Sequence, residues 1–395
     1  MDMTDDKNYI LWLPSWYPTE ISPYDGDFIQ RHAKAVSLFT PIHVFHIKRD
    51  KKRLMTNSVR YVEKVQGNLS ETIVYYASPD IPVRFADRLL SQIRYGWLYR
   101  RHIRKLFRQK GFPQLVHAHI IYKAGLIAKW IDKKFGIPFF LTEQWTIHLP
   151  EAKPNLSDIA FSEQHIFSRI MDHVLLVLPV SEYLGEAIQK HWPNIRYEVV
   201  PNVVDRNIFF PAEKKPSEIL RLVHISTLTY QKDPESLVKA LALVKSQGLR
   251  FQLDVYGPKL TTFTEMVHQS GLEEEIILHG EVPQQALAAC LQQSDVLILY
   301  SRFETFGCVI IEANACGVPV LVPDTPLMQE LVKEGENGIL VPPGNYKALA
   351  EAIVKFSTTK DKFNSRAIAE STASYRYENV GKQIADLYQK HLPVN

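Results

Sequence analysis

Two glutamates, Glu304 and Glu312, stand with seven residues between them in the segment SDVLILYSRFETFGCVIIEANACGVPVLVP, which runs from Ser294 to Pro323. A carboxylate accepts paired hydrogen bonds from vicinal hydroxyls, the pattern that sugars and riboses present. Either glutamate alone would read as a solvated surface group. Here both frame a glycine inside otherwise apolar sequence. Gly307 lets the backbone approach a ligand closely. The amides of Phe306, Gly307 and Cys308 open a helix expected over 308–315, so they form a site for an anion such as a pyrophosphate.

The elements that must position these groups are legible around them. Residues 296–300 read as an apolar strand, 301–307 as the loop at its carboxyl end, Gly317 as the helix C-cap and 319–322 as the next strand. The same alternation runs through most of the chain. Strands are expected at 9–13, 42–47, 72–76, 115–119, 138–141 and 174–178, and again at 220–225, 251–256 and 276–278. Such alternation makes an α/β fold, with parallel sheets covered on both faces by helices. A length of 395 residues exceeds what one core usually supports. The stretch PNVVDRNIFFPAEKKP, 201–216, breaks the periodicity with three prolines. Two doubly wound domains facing a central cleft are therefore expected, with ligands at the carboxyl ends of the strands.

Composition narrows the function classes. A hydrophobic content of 46% with 23% charged residues is that of a globular protein, and a net charge of +3 does not by itself imply nucleic-acid binding. No run approaches the ~20 apolar residues that cross a bilayer. The first residues are acidic, unlike a secretory signal, so a cytoplasmic protein is expected. Cys290, Cys308 and Cys316 form no CxxC pair and read as buried free thiols.

The first half offers further candidates. Ser15-Trp16-Tyr17-Pro18 and the loop through Gly26 follow the first strand and face the expected cleft. His117 and His119 share one strand face; a metal would need further ligands, and none is expected. Glu143 and Gln144 close the next strand. Between Arg94 and Lys110, RYGWLYRRHIRKLFRQK carries seven basic and no acidic residues. Arg101, Arg104, Lys105 and Arg108 share one helical face, and Tyr95, Tyr99, Ile103 and Phe107 another. Such a helix can pack its apolar stripe on a sheet and present its basic face to an anionic membrane.

The segment ETFGCVIIEANACGVPV resembles the signature of the retaining glycosyltransferases of family 4, whose fold is GT-B, two Rossmann-like domains around a cleft. The resemblance spans nearly the whole chain. VPNVVDRNIF (200–209) is similar to the interdomain PNGVDxxxF segment, with Val203 where glycine is usual. NGILVPPG (337–344) is similar to the stretch after the donor site, and 374–388 to a closing helix that packs on the first domain. The resemblance implies an acceptor-binding domain over 1–203, a nucleotide-sugar domain over 204–374 and a returning helix over 375–395. It implies donor contacts from Gly26, Thr227, Lys232, Gly257, Glu304, Phe306, Gly307, Cys308 and Glu312, with His119, Lys232 and Glu304 at the chemistry. Tyr17, Glu143 and Gln144 are the implied acceptor contacts. Two departures stand out. Thr227 occupies the place of a diphosphate-binding arginine, leaving Lys232 alone, and Thr325-Pro326-Leu327-Met328-Gln329-Glu330 lacks the usual Gly-Gly pair.

The implied reaction moves a sugar from a UDP- or GDP-linked donor to an acceptor hydroxyl with retention and without a metal, in bacterial surface polysaccharide or glycolipid synthesis. No further cofactor is implied. The acceptor is a glycan or lipid-linked glycan, and the basic helix implies attachment to the inner face of the plasma membrane. The alternatives are another enzyme of this fold, such as a sugar-nucleotide epimerase, or a catalytically silent sugar-nucleotide-binding or scaffold protein.

Overall fold

The computed structural model describes residues 9–77 and 83–392. These divide into two compact units. The first comprises the chain up to Val180, Leu184–Val203 and the chain from Tyr377; the second comprises Ser181–Tyr183 and Val204–Arg376.

The first unit holds strands β1 (Ile10–Pro14), β2 (Ile42–Asp50), β3 (Val59–Gln66), β4 (Leu69–Ala77), β5 (Leu115–His119), β6 (Phe139–Glu143) and β7 (Leu176–Pro179). Their order in the sheet is β3-β4-β2-β1-β5-β6-β7. Every pairing is parallel except β3 with β4, an antiparallel hairpin closed at Gly67 and Asn68. The strict alternation of helix and strand gives no sign of β3, because VRYVEKVQ is largely exposed and charged. It serves as an edge, where charge discourages further pairing. The helices are α1 (Asp27–Ser37), α2 (Arg84–Lys110), α3 (Ala124–Phe135), α4 (Phe161–Met171) and α5 (Glu182–His191).

The second unit holds β8 (Leu220–Ile225), β9 (Phe251–Tyr256), β10 (Ile276–Gly280), β11 (Val296–Ile298), β12 (Val320–Pro323) and β13 (Gly338–Val341). The order β10-β9-β8-β11-β12-β13 is parallel throughout. Its helices are α6 (Pro234–Ser246), α7 (Thr261–Gln269), α8 (Gln284–Gln293), α9 (Cys308–Ala315), α10 (Pro326–Leu331), α11 (Tyr346–Thr359) and α12 (Ser365–Ser371). Each sheet reverses its strand order once, between β1 and β5 in the first unit and between β8 and β11 in the second. Crossovers leave in opposite directions at such a point, and the carboxyl ends there are free to hold a ligand.

The last helix, α13 (Tyr377–His391), belongs to the first unit and packs on α1. A β-carbon on Gly381 would stand 2.2 Å from the Ala35 carbonyl oxygen, so only glycine allows this approach. At its far end Tyr388 enters the core: its oxygen accepts from Trp12 Nε1 at 3.1 Å, and its hydroxyl bonds His117 Nδ1.

Candidate functional site

In the second unit, the loop after β8 and the loop after β11 are tied together at the point where the strand order reverses. Lys232 ends a short 3-10 turn, and its Nζ bonds Glu304 Oε1. Ser301 Oγ donates to the same oxygen at 2.7 Å, and Gln231 Nε2 to Oε2 at 3.2 Å. Arg302 returns the link: its amide donates to the Gln231 carbonyl at 2.7 Å, and its guanidinium reaches Asp233 at 2.6 Å. Asp233 itself caps α6, with Pro234 at the first helical position. Glu304 is thus a buried carboxylate held on both oxygens, and Lys232 is a cation fixed beside it. Charges removed from water hold their place only with such partners.

The turn into α9 follows directly. Gly307 caps the helix with φ 90°, a conformation that favours glycine, and Cys308 is the first helical residue. Phe306 is buried edge-on against Tyr375, with ring centroids 5.8 Å apart. The amides at this helix start and the Lys232 ammonium lie on loops leaving neighbouring strands, β11 and β8, an arrangement suited to a dianionic group. Glu312 lies further along α9 and is buried. Burial, then the Glu312 charge, pushes the Cys316 thiol up to about 12, so that cysteine is inert.

Two other predicted donor contacts have different surroundings. Thr227 is exposed on the β8 loop with its hydroxyl 3.3 Å from that of Thr229, outside the Glu304 cluster. Gly257, after β9, has φ 148°, and a β-carbon there would stand 1.9 Å from the Ser226 carbonyl oxygen. It lets one strand end pass against the next. Glu330 accepts from the amides of Glu182 and Tyr183 at 3.0 and 2.7 Å.

The reversal point of the first unit is built from neutral aromatic groups. His119 ends β5, is wholly buried, and packs against Trp12 (4.1 Å between centroids) and stacks on His117 (4.3 Å). Burial, then the neighbouring His117 and His32, holds its pKa well below the usual histidine range, so the ring is neutral. Neither of its ring nitrogens has a hydrogen-bond partner among the described residues. His117, by contrast, is fully engaged, bonding Tyr388 on one side and Thr142 Oγ1 at 2.7 Å on the other. A buried polar group without a partner requires an explanation, and a ligand atom is one.

Gly26 adopts φ 70° as the cap of α1, where a β-carbon would stand 2.5 Å from the Trp16 carbonyl. The loop after β1 is therefore folded tightly against its own start. Tyr17, expected to meet an acceptor, is wholly buried and donates its hydroxyl to Glu71, which places its ring in the core. Glu143, expected to do the same, is wholly buried and accepts from the amides of Ile121, Gln144 and Trp145 at 2.8–2.9 Å. It organises two loops rather than presenting a charge. Gln144 beside it is buried as well. Residue order hints at neither, because the Tyr17–Glu71 bond and the Ile121 amide on Glu143 join residues distant in sequence. Gln231, which the sequence places only as a neighbour of Lys232, proves to be part of the Glu304 cluster.

Known proteins are similar to this chain in sequence and in fold. The family "Glycosyl transferases group 1" matches residues 205–373, and "Glycosyltransferase Family 4" matches 61–207. A relative named "Putative teichuronic acid biosynthesis glycosyltransferase TuaC", from Bacillus subtilis, is 26% identical over 373 residues, covering 88% of each chain. Further relatives align over only about half their own length. Among solved structures, a sucrose-phosphate synthase from Thermosynechococcus elongatus superposes with a TM-score of 0.77 at 17% identity, over 97% of this chain and 98% of that one. Anabaena Alr3699/HepE, in complex with UDP and glucose, superposes at 0.70 with 19% identity, over 97% and 99%. The fold is GT-B.

Proposed function

We propose that this chain, a glycosyltransferase of the group 1 and family 4 type, moves a hexose from a UDP- or GDP-linked donor to an acceptor hydroxyl with retention of configuration. The product on this reading is a surface polysaccharide or glycolipid. The observation that carries it is the buried Glu304 held by Lys232, Ser301 and Gln231 where the second sheet reverses. The B. subtilis relative is named for teichuronic acid biosynthesis, and the Anabaena structure holds UDP and glucose, which supports a nucleotide-linked sugar and a polysaccharide product.

In this reaction negative charge gathers on the departing diphosphate. Lys232 and the amides of Phe306, Gly307 and Cys308 stabilise that charge without reorganising, which is the largest usual term in catalysis. No metal is required for this role. Glu304 orients the transferred sugar, Glu312 receives the ribose hydroxyls, and Gly257 keeps the backbone low beneath the donor. His119, neutral, bonds a sugar hydroxyl in either direction. The test is turnover with a panel of UDP- and GDP-hexoses, with the anomeric configuration of the product read by NMR. Transfer from none of them, or an inverted product, would overturn the proposal.

The same reading assigns α2 to an anionic membrane surface at the inner face of the plasma membrane. Tyr99, Ile103 and Phe107 are buried, while Arg101, Arg104, Lys105 and Arg108 are exposed. Among the described residues no helix is long and apolar enough to cross a membrane. Replacing the four basic residues with glutamine should weaken sedimentation with phosphatidylglycerol vesicles while donor hydrolysis persists. Equal sedimentation of variant and parent would reduce α2 to a packing element.

A further inference from the structure

A groove of about 1270 Å³ lies wholly within the first unit. Its floor is formed by the carboxyl ends of β1 and β2 and the loop after β5, and its walls by α2, α3 and α4. That volume is above the ~300–1,000 Å³ of ordinary small-molecule sites. We infer that this groove takes an acceptor carried on a lipid phosphate, the phosphate near Lys123 and the chain along the apolar lip. The inference rests on the reading of the chain as a glycosyltransferase and names the class of its acceptor.

Two properties of the groove point to an anionic amphiphile. The first is the lip, where Ile93, Trp97, Leu126 and Ile166 are 59%, 53%, 43% and 37% exposed. Apolar side chains gathered at one opening mark a binding surface rather than scattered surface residues. A soluble glycan would gain little from them. The second is charge: seven lysines and arginines line the groove against three carboxylates. Lys48 is matched by Asp25 at 2.8 Å, and Arg49 is paired with Asp87. Lys123 has no carboxylate at ion-pair distance among the described residues; it sits over the rings of Tyr95 and Tyr122, at 5.6 and 5.5 Å. Burial, then the charge of Lys48, lowers its pKa. An anion bound there would relieve both effects.

The lining also holds polar atoms awaiting a partner. His46 Nε2 and Ser91 Oγ are buried and have no hydrogen bond among the described residues, and both residues line the groove. His46 Nδ1 lies 3.0 Å from the Pro14 carbonyl, so it carries the proton and leaves Nε2 as an acceptor. Burial lowers that ring to about 4, so it is neutral at pH 7. A neutral acceptor and a hydroxyl beside an ammonium suit a phosphate with a hydroxylated head.

The test uses the full chain and three probes below their micelle-forming concentrations: dodecyl phosphate, dodecyl maltoside and inorganic phosphate. Trp16 and Trp97 line the groove, so tryptophan emission reports occupancy. Dodecyl phosphate should bind at least tenfold more tightly than either of the others. Lys123→Gln should weaken it about tenfold, Lys123→Arg should restore it, and the pair Ile93→Ser with Leu126→Ser should bring it towards inorganic phosphate. Thermal stabilisation by UDP should be the same in all variants, which separates the groove from the donor side. Equal affinity for dodecyl phosphate and inorganic phosphate, or an unaltered Lys123→Gln variant, overturns the inference. Tight dodecyl phosphate binding with no sugar transfer from any donor would support the groove and count against the proposed reaction.

Discussion

The two reversal points solve the same topological problem with opposite chemistry. In the second unit a buried carboxylate is held by a half-buried ammonium, with both carboxylate oxygens of Glu304 engaged. In the first unit, a cluster of Trp12, His119 and His117 is wholly buried and neutral, and one histidine lacks partners among the described residues. A fixed charge pair holds its geometry before a ligand arrives, and a neutral unsatisfied ring leaves hydrogen-bonding capacity in reserve. The contrast extends through each core. The first unit buries His32, His43, His46, His117 and His119, all with lowered pKa, and the second buries His224 alone in that way.

That difference predicts the largest effect, which is acid sensitivity of the first unit. These histidines have folded pKa values below their unfolded value of about 6.5. As pH falls through 6.5 the unfolded chain takes up protons that the folded chain refuses, so stability is full above that value and declines below it. The decline continues to about 4 for His32 and His46 and about 3 for His43. Each contributes up to about 1.4 kcal/mol per pH unit. All six tryptophans lie in the first unit, so their emission follows that unit alone. An emission maximum unmoved between pH 7 and 4 would remove the distinction between the two cores.

The next effect tests the charged side. Lys232→Ala should lower transfer at least the ~10²-fold that follows loss of one group stabilising a developing anion. Thr227→Arg in that background should restore part of it, because the arginine would enter the same loop. Near-parental transfer by Lys232→Ala would mean the diphosphate is held elsewhere. Glu312→Ala should weaken binding of the free nucleoside diphosphate by roughly 1.5–3 kcal/mol, the worth of a charged hydrogen bond. Calorimetry with UDP and GDP measures this, and unchanged affinity takes Glu312 out of the site. The smallest effect concerns Tyr388→Phe, which deprives Trp12 and His117 of a partner. It should cost the first unit about 1–3 kcal/mol in urea unfolding without altering UDP affinity. A matching loss of UDP affinity would mean that the hydroxyl also supports nucleotide binding.

Much of the framework was legible before any coordinates. The strands 115–119, 220–225 and 251–256 and the helix 308–315 have the expected bounds, because apolar runs and a glycine-led start leave few alternatives. β3 escaped because an exposed hairpin edge carries no apolar run. The polar residues were harder to place. Spacing marked Glu304 as a chemical group and the family resemblance singled out Lys232, but residue order does not tell that Glu143 would also bind the Ile121 amide or that Tyr17 would meet Glu71. The groove beside α2 was half visible: periodicity separates the basic and buried faces, but the apolar lip also draws on α3 and α4, which only tertiary structure gathers.

The return of α13 to the first unit bears on how the chain is made. Residues 204–376 must leave the ribosome before the helix that carries Tyr388 does, so the unit translated first is the one completed last. Until then Trp12 and His117 lack that hydroxyl, and the α1 surface around Ala35 is uncovered. Domains usually fold as they emerge. Here the second unit can close on its own while the first waits for α13, so a nonsense change just ahead of α13 would cripple a fold begun more than three hundred residues earlier.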